Sequence, residues 1–184
     1  MDNPAFKTVA YSKTSLTELM IPSYANFGGK IHGGVILALM DKVAYVCAAK
    51  HADAYCVTAS IDTVNFLQPV GVGELVSLLA SVNYVGRSSL VIGIKVISEN
   101  IKTHLVKHTN TSYFTMVAID DNNNSVLVPG LVLETLEESR RFYQALRRKE
   151  LRKHYRDEDA KMEMPTALED YADLLSNERC RVTV

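Results

Sequence analysis

Residues 28–43 read GGKIHGGVILALMDKV, a glycine-punctuated loop followed at once by an apolar run with a carboxylate, Asp41, in its interior. The run extends to Ala52 as VILALMDKVAYVCAAKHA, whose length, alanines and lack of breakers predict a long central helix. Aspartate is a poor interior helix residue because its side chain competes for nearby backbone groups. Ahead of it, SYANFGGKIHGG gathers Asn26 and four glycines into a loop that must turn sharply or pass close to something. Gly34 and Asp41 are seven positions apart, two turns along nearly one helix face. The glycines leave N–H groups without intrahelical partners at the positive end of the helix dipole, where negative charge on a bound oxygen is favoured. From the helix pattern alone, Asp41 reads equally well as a structural carboxylate, paired or at a dimer edge, and as a chemical one.

Working outward, residues 7–20 are rich in Thr, Val, Tyr and Ser and end near Pro22, which predicts a first strand. After the helix, YCVTASIDTVNF, ELVSLLASVNYV, SLVIGIKVIS and TSYFTMVAID are β-branched or aromatic with period-two alternation, predicting four further strands. LQPVGVG, GRS, ENIKTH and DDNNNS separate them as turns or polar connections. With no helix between the four, they pair mainly antiparallel. The fold class is therefore α+β, one long helix covered by a single curved sheet of about five strands. From Glu134 the chain becomes charged and helical, with eight Arg or Lys against one acid between Arg140 and Arg156. Residues 1–133 are expected to form the main domain and 134–184 a charged helical extension, with PTALEDYADLL a short helix started by Pro165.

The 184 residues are 47% hydrophobic with a net charge of −1, enough for one well-packed domain and without a global pull toward nucleic acid. Cys47, Cys56 and Cys180 are an odd set with no CxxC or Cys/His ligand spacing, which argues against a disulfide framework and a zinc site. The N-terminus lacks the apolar core of a signal peptide, and no run approaches a membrane span. A cytoplasmic protein is expected.

PSYANFGGKIHGGVILALMD, then VTASIDTVNFLQPVGVGE, VGRSS and YFTMVAID, carry a family resemblance over about residues 14–150. In order and spacing they resemble the hotdog-fold acyl-CoA thioesterases, the broad-specificity bacterial enzymes and the cytosolic brain-type acyl-CoA hydrolases. The resemblance implies a helix wrapped by an antiparallel sheet, homodimers with active sites between subunits, and often a hexamer as a trimer of dimers. It implies an acyl-CoA substrate, hydrolysis to fatty acid and coenzyme A, and no metal or organic cofactor. Asp41 matches the acid that activates water or attacks the thioester, and Asn26 the residue that places water or thioester. Gly33 or Gly34 would supply the oxyanion-hole N–H. Arg87, Ser88 and Ser89 match a turn lying near coenzyme A. In a homodimer each site would draw Asn26 from one subunit and Asp41 from the other.

Other residues carry weaker signals. His32 lies beside a glycine pair and reads first as a structural residue that packs or bonds the backbone, with a base or a substrate contact as the alternative. Thr58 and Ser60 share a strand face and could line the site, although Thr is also an ordinary strand residue. Arg147, Arg148 and their basic neighbours read as a solvated helix face or as contacts to coenzyme A phosphates. Cys47 and Cys56 read as buried apolar groups with no partner base. GRSSL lacks the second glycine of a nucleophile elbow, and GVGELV lacks the third glycine of a dinucleotide loop. The rivals to hydrolysis are an acyl-CoA-binding sensor or carrier on the same fold, and a hydratase, whose His and Asp pattern is not found.

Overall fold

The computed structural model describes residues 5–183. The elements are β1 (Phe6–Thr8), α1 (Val9–Ser12), β2 (Thr14–Leu19), α2 (Gly33–Ala52), β3 (Tyr55–Ile61), β4 (Glu74–Val85), β5 (Ser89–Asn100), β6 (Leu105–Ile119), β7 (Gly130–Val132), α3 (Leu136–Asp159) and α4 (Leu168–Leu174). Two compact units divide the chain, one reaching Leu146 and the other beginning at Arg147. The first holds the sheet, α2 and the opening turns of α3. The second holds the remainder of α3 and α4.

Both ends of α2 are closed by local chemistry. At its start, His32 is extended and its Nδ1 accepts a hydrogen bond from the Gly34 N–H at 3.3 Å, which satisfies one of the orphan donors of the first turn. At its end, Asp53 takes a left-handed conformation (φ 50°, ψ 31°) and its N–H bonds to Ala49 O. Between them, Ile36, Met40, Val43, Ala44, Cys47, Ala48 and His51 are buried at helical spacing. Gly34, Ala38, Asp41, Lys42, Tyr45 and Val46 are exposed. The helix is thus apolar on both faces, and Asp41 stands on the face that its own sheet leaves uncovered.

The main sheet runs β2-β4-β5-β6-β3, antiparallel throughout. Alternation puts Val76, Leu78, Ala80 and Val82 of β4, Leu90, Ile92, Ile94 and Val96 of β5, and Phe114, Met116 and Ala118 of β6 in one core with α2. Each such fully buried Val, Leu, Ile or Phe contributes about 1.5–3 kcal/mol through removal of apolar surface from water. The four strands expected after the helix are therefore present, with β6 beginning earlier, at Leu105. The sharp β5–β6 turn is held by Asn100 Oδ1, which accepts the Lys102 and Thr103 N–H groups at 3.0 and 3.1 Å.

Residues 7–20 differ from the single strand expected. Thr8 Oγ1 accepts the Tyr11 N–H at 3.2 Å and closes the turn of α1, so a local side-chain cap overrides the strand preference of Thr, Val and Tyr. The small β1–β7 parallel pair was not foreseen either. Its register sets Phe6 opposite Gly130, where any Cβ would lie 2.3 Å from the Phe6 ring.

His51 ties these parts together. Its Nδ1 lies 3.5 Å from Ser12 Oγ, its Nε2 lies 3.2 Å from Pro129 O, and the residue is fully buried. Burial lowers its pKa below the ordinary 6.5. The unfolded chain therefore binds a proton below about pH 6.5 that the folded chain refuses, and stability falls as pH drops through that range. We expect the urea midpoint to fall between pH 7.5 and 5.5, and the fall to be smaller in His51→Gln; equal pH dependence in the two proteins would refute this role.

Candidate active site

The site is built on the uncovered face of α2 and the strand folded back beside it. Thr58 on β3 donates its Oγ1 hydrogen to Asp41 Oδ1 at 2.6 Å, and the same hydroxyl lies 3.4 Å from Met116 Sδ. The short contact fixes one carboxylate oxygen, while Oδ2 has no partner among the described residues. β3 reaches Asp41 because it is the edge strand, paired with β6 on one side. A register shift between Thr58 and Ser60 leaves Ala59 as an extra residue. Such bulges bend an edge strand and re-aim its side chains, which interrupts the alternation on which a shared face for Thr58 and Ser60 rests.

The second part lies at the N-terminal end of α2. Asn26 Oδ1 accepts the N–H groups of Gly28 and Lys30 at 2.9 and 3.2 Å, and the Asn26 N–H bonds to Lys30 O at 2.7 Å. This closed loop orients the amide so that Nδ2 remains available as a donor. Gly29, at φ 71°, needs the left-handed region that glycine enters without strain. The loop is fastened to the helix start by the His32 N–H bonded to Tyr24 O at 2.8 Å and to its neighbour by Ile31 N–H bonded to Val70 O at 2.9 Å. The Gly34 N–H is engaged by His32 Nδ1, so Gly33 is the amide left for another acceptor.

Phe66 is a member of this site that the sequence did not single out. A Cβ on Gly33 would meet the Phe66 ring at 3.3 Å, so the absence of a side chain at Gly33 lets the ring lie against the helix start. The segment carrying Phe66 is anchored where Lys107 Nζ meets Pro69 O at 3.1 Å and Glu74 Oε1 at 2.8 Å. Burial pushes the Glu74 carboxyl up, but the Lys107 ammonium and its hydrogen bonds hold it below the usual value. NFLQP carried the only signal available, and aromatic character alone does not distinguish a site wall from a core residue.

The other expected residues sit elsewhere. Arg87, Ser88 and Ser89 form the β4–β5 turn, with Gly86 N–H bonded to Ser89 O at 2.7 Å, Ala118 N–H to Ser88 O at 2.9 Å and Val128 N–H to Arg87 O at 3.0 Å. Arg147 and Arg148 lie on α3 at the start of the second unit, where Arg147 pairs with Glu150 at 2.9 Å. Cys47 and Cys56 are buried, and burial pushes their thiols up to about 12 and about 11. At neutral pH neither forms the thiolate that nucleophilic attack requires.

The family model for the thioesterase superfamily matches residues 28–104, the span that holds the loop from Gly28 onward, α2, β3, β4 and β5. Protein VdlD of Helicobacter pylori is 46% identical over 145 residues, covering 79% of this chain and 83% of that protein. A solved apo-hexameric acyl-CoA thioesterase is 36% identical with a TM-score of 0.80, covering 86% of this chain and 99% of that one. The chain belongs to the thioesterase superfamily. Among solved members, the acyl-CoA hydrolase of Staphylococcus aureus in complex with butyryl coenzyme A, coenzyme A and coenzyme A disulfide is 32% identical, with a TM-score of 0.77 over 85% of this chain and 95% of that one. The same hydrolase has been solved with single alanine replacements of an asparagine, an aspartate and a threonine. Those positions are fifteen and seventeen residues apart, the intervals that separate Asn26, Asp41 and Thr58 in this thioesterase-superfamily chain.

The cap made by His32 is testable apart from any chemistry. His32→Ala should lower stability by about 1 kcal/mol, as loss of a capping acceptor does, and His32→Asn should restore most of it. Urea unfolding of the three proteins checks this, and an alanine variant as stable as the parent would remove the capping role.

Proposed function

We propose that this protein hydrolyses fatty acyl-CoA to the free fatty acid and coenzyme A, with Asp41 as general base or nucleophile. The observation that carries the reading is the 2.6 Å hydrogen bond from Thr58 to Asp41 Oδ1 on an exposed helix face. A positioned carboxylate with one oxygen held and the other open is what proton abstraction or direct attack requires. As a base, Asp41 takes a proton from water as the water oxygen bonds to the thioester carbon; the C–S bond then breaks and the coenzyme A thiolate is protonated. As a nucleophile, its Oδ2 bonds to that carbon, the thiolate leaves, and water opens the resulting anhydride. Asn26 Nδ2 and the Gly33 N–H stabilise the oxyanion, a contribution whose loss costs about 100-fold or more in rate, while the Gly34 N–H, held by His32 Nδ1, fixes the helix start.

One helix cannot bring all these groups to one carbonyl. Gly34 and Asp41 are separated by seven residues, about 10 Å at 1.5 Å of rise per residue, whereas reacting atoms must approach to about 3–3.5 Å. We therefore infer a two-fold dimer in which each site combines Asp41 and Thr58 of one chain with Asn26 and Gly33 of the other. The open edge of β3 and the exposed Tyr45 and Val46 on α2 support such pairing, since an unpaired edge beside an apolar face favours a second copy. The hexameric relative supports further assembly, as a trimer of dimers. Arg87, Ser88 and Ser89, with Arg147 and Arg148, are proposed for the coenzyme A portion, because Arg forks and hydroxyls suit phosphate oxygens. Catalysis needs no metal or organic cofactor, and the cytoplasm, where acyl-CoA is made and free thiols persist, is the proposed location.

Asp41→Asn should abolish thiol release from a panel of acyl-CoAs while acyl-CoA binding persists; turnover near the parent's would dismiss Asp41, and binding without release in the parent would favour the sensor reading. Mixing subunits tests the shared site. Asp41→Asn and Asn26→Ala homo-oligomers should each be nearly inactive, whereas co-refolded mixtures should recover about a quarter of parental activity, because half of randomly paired dimers carry one intact site of two. No recovery on mixing would place both residues in the same chain's site.

A further inference from the structure

A cavity lies on the face of the sheet turned away from α2. About 550 Å³ in volume, it is lined by β2, β4, β5 and β6 below and by the first turns of α3 above, and no residue of α2 or β3 borders it. Alternation explains the separation: Val82, Ile92 and Phe114 turn inward to α2, while Ser81, Gly93 and Tyr113 turn outward in one row of facing residues. α3 is set over this face by a capping box, in which Thr135 Oγ1 accepts the Glu138 N–H and Glu138 Oε2 accepts the Glu134 and Thr135 N–H groups. Phe142 adds a ring contact to Tyr84, with centroids 5.0 Å apart.

The floor has been built around one amide. β4 shifts register between Val82 and Tyr84, leaving Asn83 as the extra residue, and the bulge turns its side chain across Gly93, where a Cβ would lie 2.2 Å from Nδ2. Glycine in the middle of a central strand is otherwise unfavourable; here it is the space the amide occupies. Ser81 Oγ donates to Asn83 Oδ1 at 3.1 Å, which fixes the amide's orientation. Asn83 is 5% exposed and its Nδ2 has no hydrogen-bond partner among the described residues, so a buried donor is presented to the cavity it lines.

The rim is cationic. Lys13, Lys95, Arg140 and Arg141 border the cavity against one carboxylate, Glu137. Glu137 is already engaged by Arg140 Nε and Nη2 at 2.8 Å each and by Arg141 Nε at 2.7 Å, which leaves further N–H groups on both guanidiniums. Leu79 and Tyr113 supply an apolar wall. Buried donor, cationic rim and apolar wall together select a ligand with an acceptor head and an apolar body; a compact inorganic anion would leave the wall uncovered. Its volume lies in the range of small-molecule sites.

We propose that this cavity is a second ligand site, for the carboxylate of a medium-chain fatty acid, recognised by Asn83 and the Lys95, Arg140 and Arg141 cations. The inference stands on the cavity and not on hydrolysis at Asp41. Isothermal titration of the full chain with decanoate, decanol and inorganic phosphate tests it, in the parent and in Asn83→Leu and Lys95→Gln. Decanoate should bind saturably; decanol should bind at least about tenfold more weakly; and each variant should lose about tenfold in decanoate affinity, the effect of one charge-assisted contact. Acyl-CoA turnover in both variants should stay at the parent's level, which separates this site from the catalytic one. Lys95 is exposed, so Lys95→Gln keeps the test open if the buried Asn83 variant fails to fold. Decanoate affinity unchanged in the folded variants, equal binding of decanol, or displacement of decanoate by phosphate would overturn the proposal.

Discussion

Burial of one face of α2 against β4, β5 and β6 is the constraint on which the rest of the structure depends. Ile36, Met40, Val43, Ala44 and Cys47 meet Val76, Leu78, Ile92, Ile94, Phe114 and Met116 in a single core. Because that contact consumes only half of an apolar helix, the opposite face is left with Ala38, Tyr45 and Val46 around Asp41. A helix apolar on both sides is stable in water only where a second surface covers it. The carboxylate is thereby held on an exposed face, with one oxygen hydrogen-bonded to Thr58 and the other open.

The sheet serves this helix in two ways. Its central strands supply the core, and its edge strand supplies Thr58, which reaches Asp41 because β3 folds back directly after α2 through the left-handed turn at Asp53. Interior rigidity and a positioned surface group come from the same packing. The outer face repeats the logic in a different key, since the bulge at Asn83 and the missing side chain at Gly93 hold a buried amide under the roof made by α3.

Much of the fold was legible in the sequence because its signals are periodic and local. The long helix declared itself through the breaker-free run from Val35, and β4 through the alternation of its first seven residues, ahead of the bulge at Asn83. Asp41, Asn26 and the glycine pair were legible as oddities of type and position. Residues 7–20 misled, because the hydrogen bond from Tyr11 N–H to Thr8 Oγ1 is a choice between two local states of similar propensity. The β1–β7 pair was invisible, since its partners lie more than a hundred positions apart and carry no shared pattern.

The order and type of the main elements, and a lone acid two turns beyond a glycine-rich helix start, could be read along the chain, for these depend on backbone preference and periodicity within short windows. What the acid touches, the capping of the helix by His32, and the pairing of Asn83 with Gly93 emerge in three dimensions alone. Those contacts depend on strand register, bulges and the return of an edge strand over a helix, which are properties of neighbours in space. Residues adjacent across a sheet are distant along the chain, and no local spacing records their meeting.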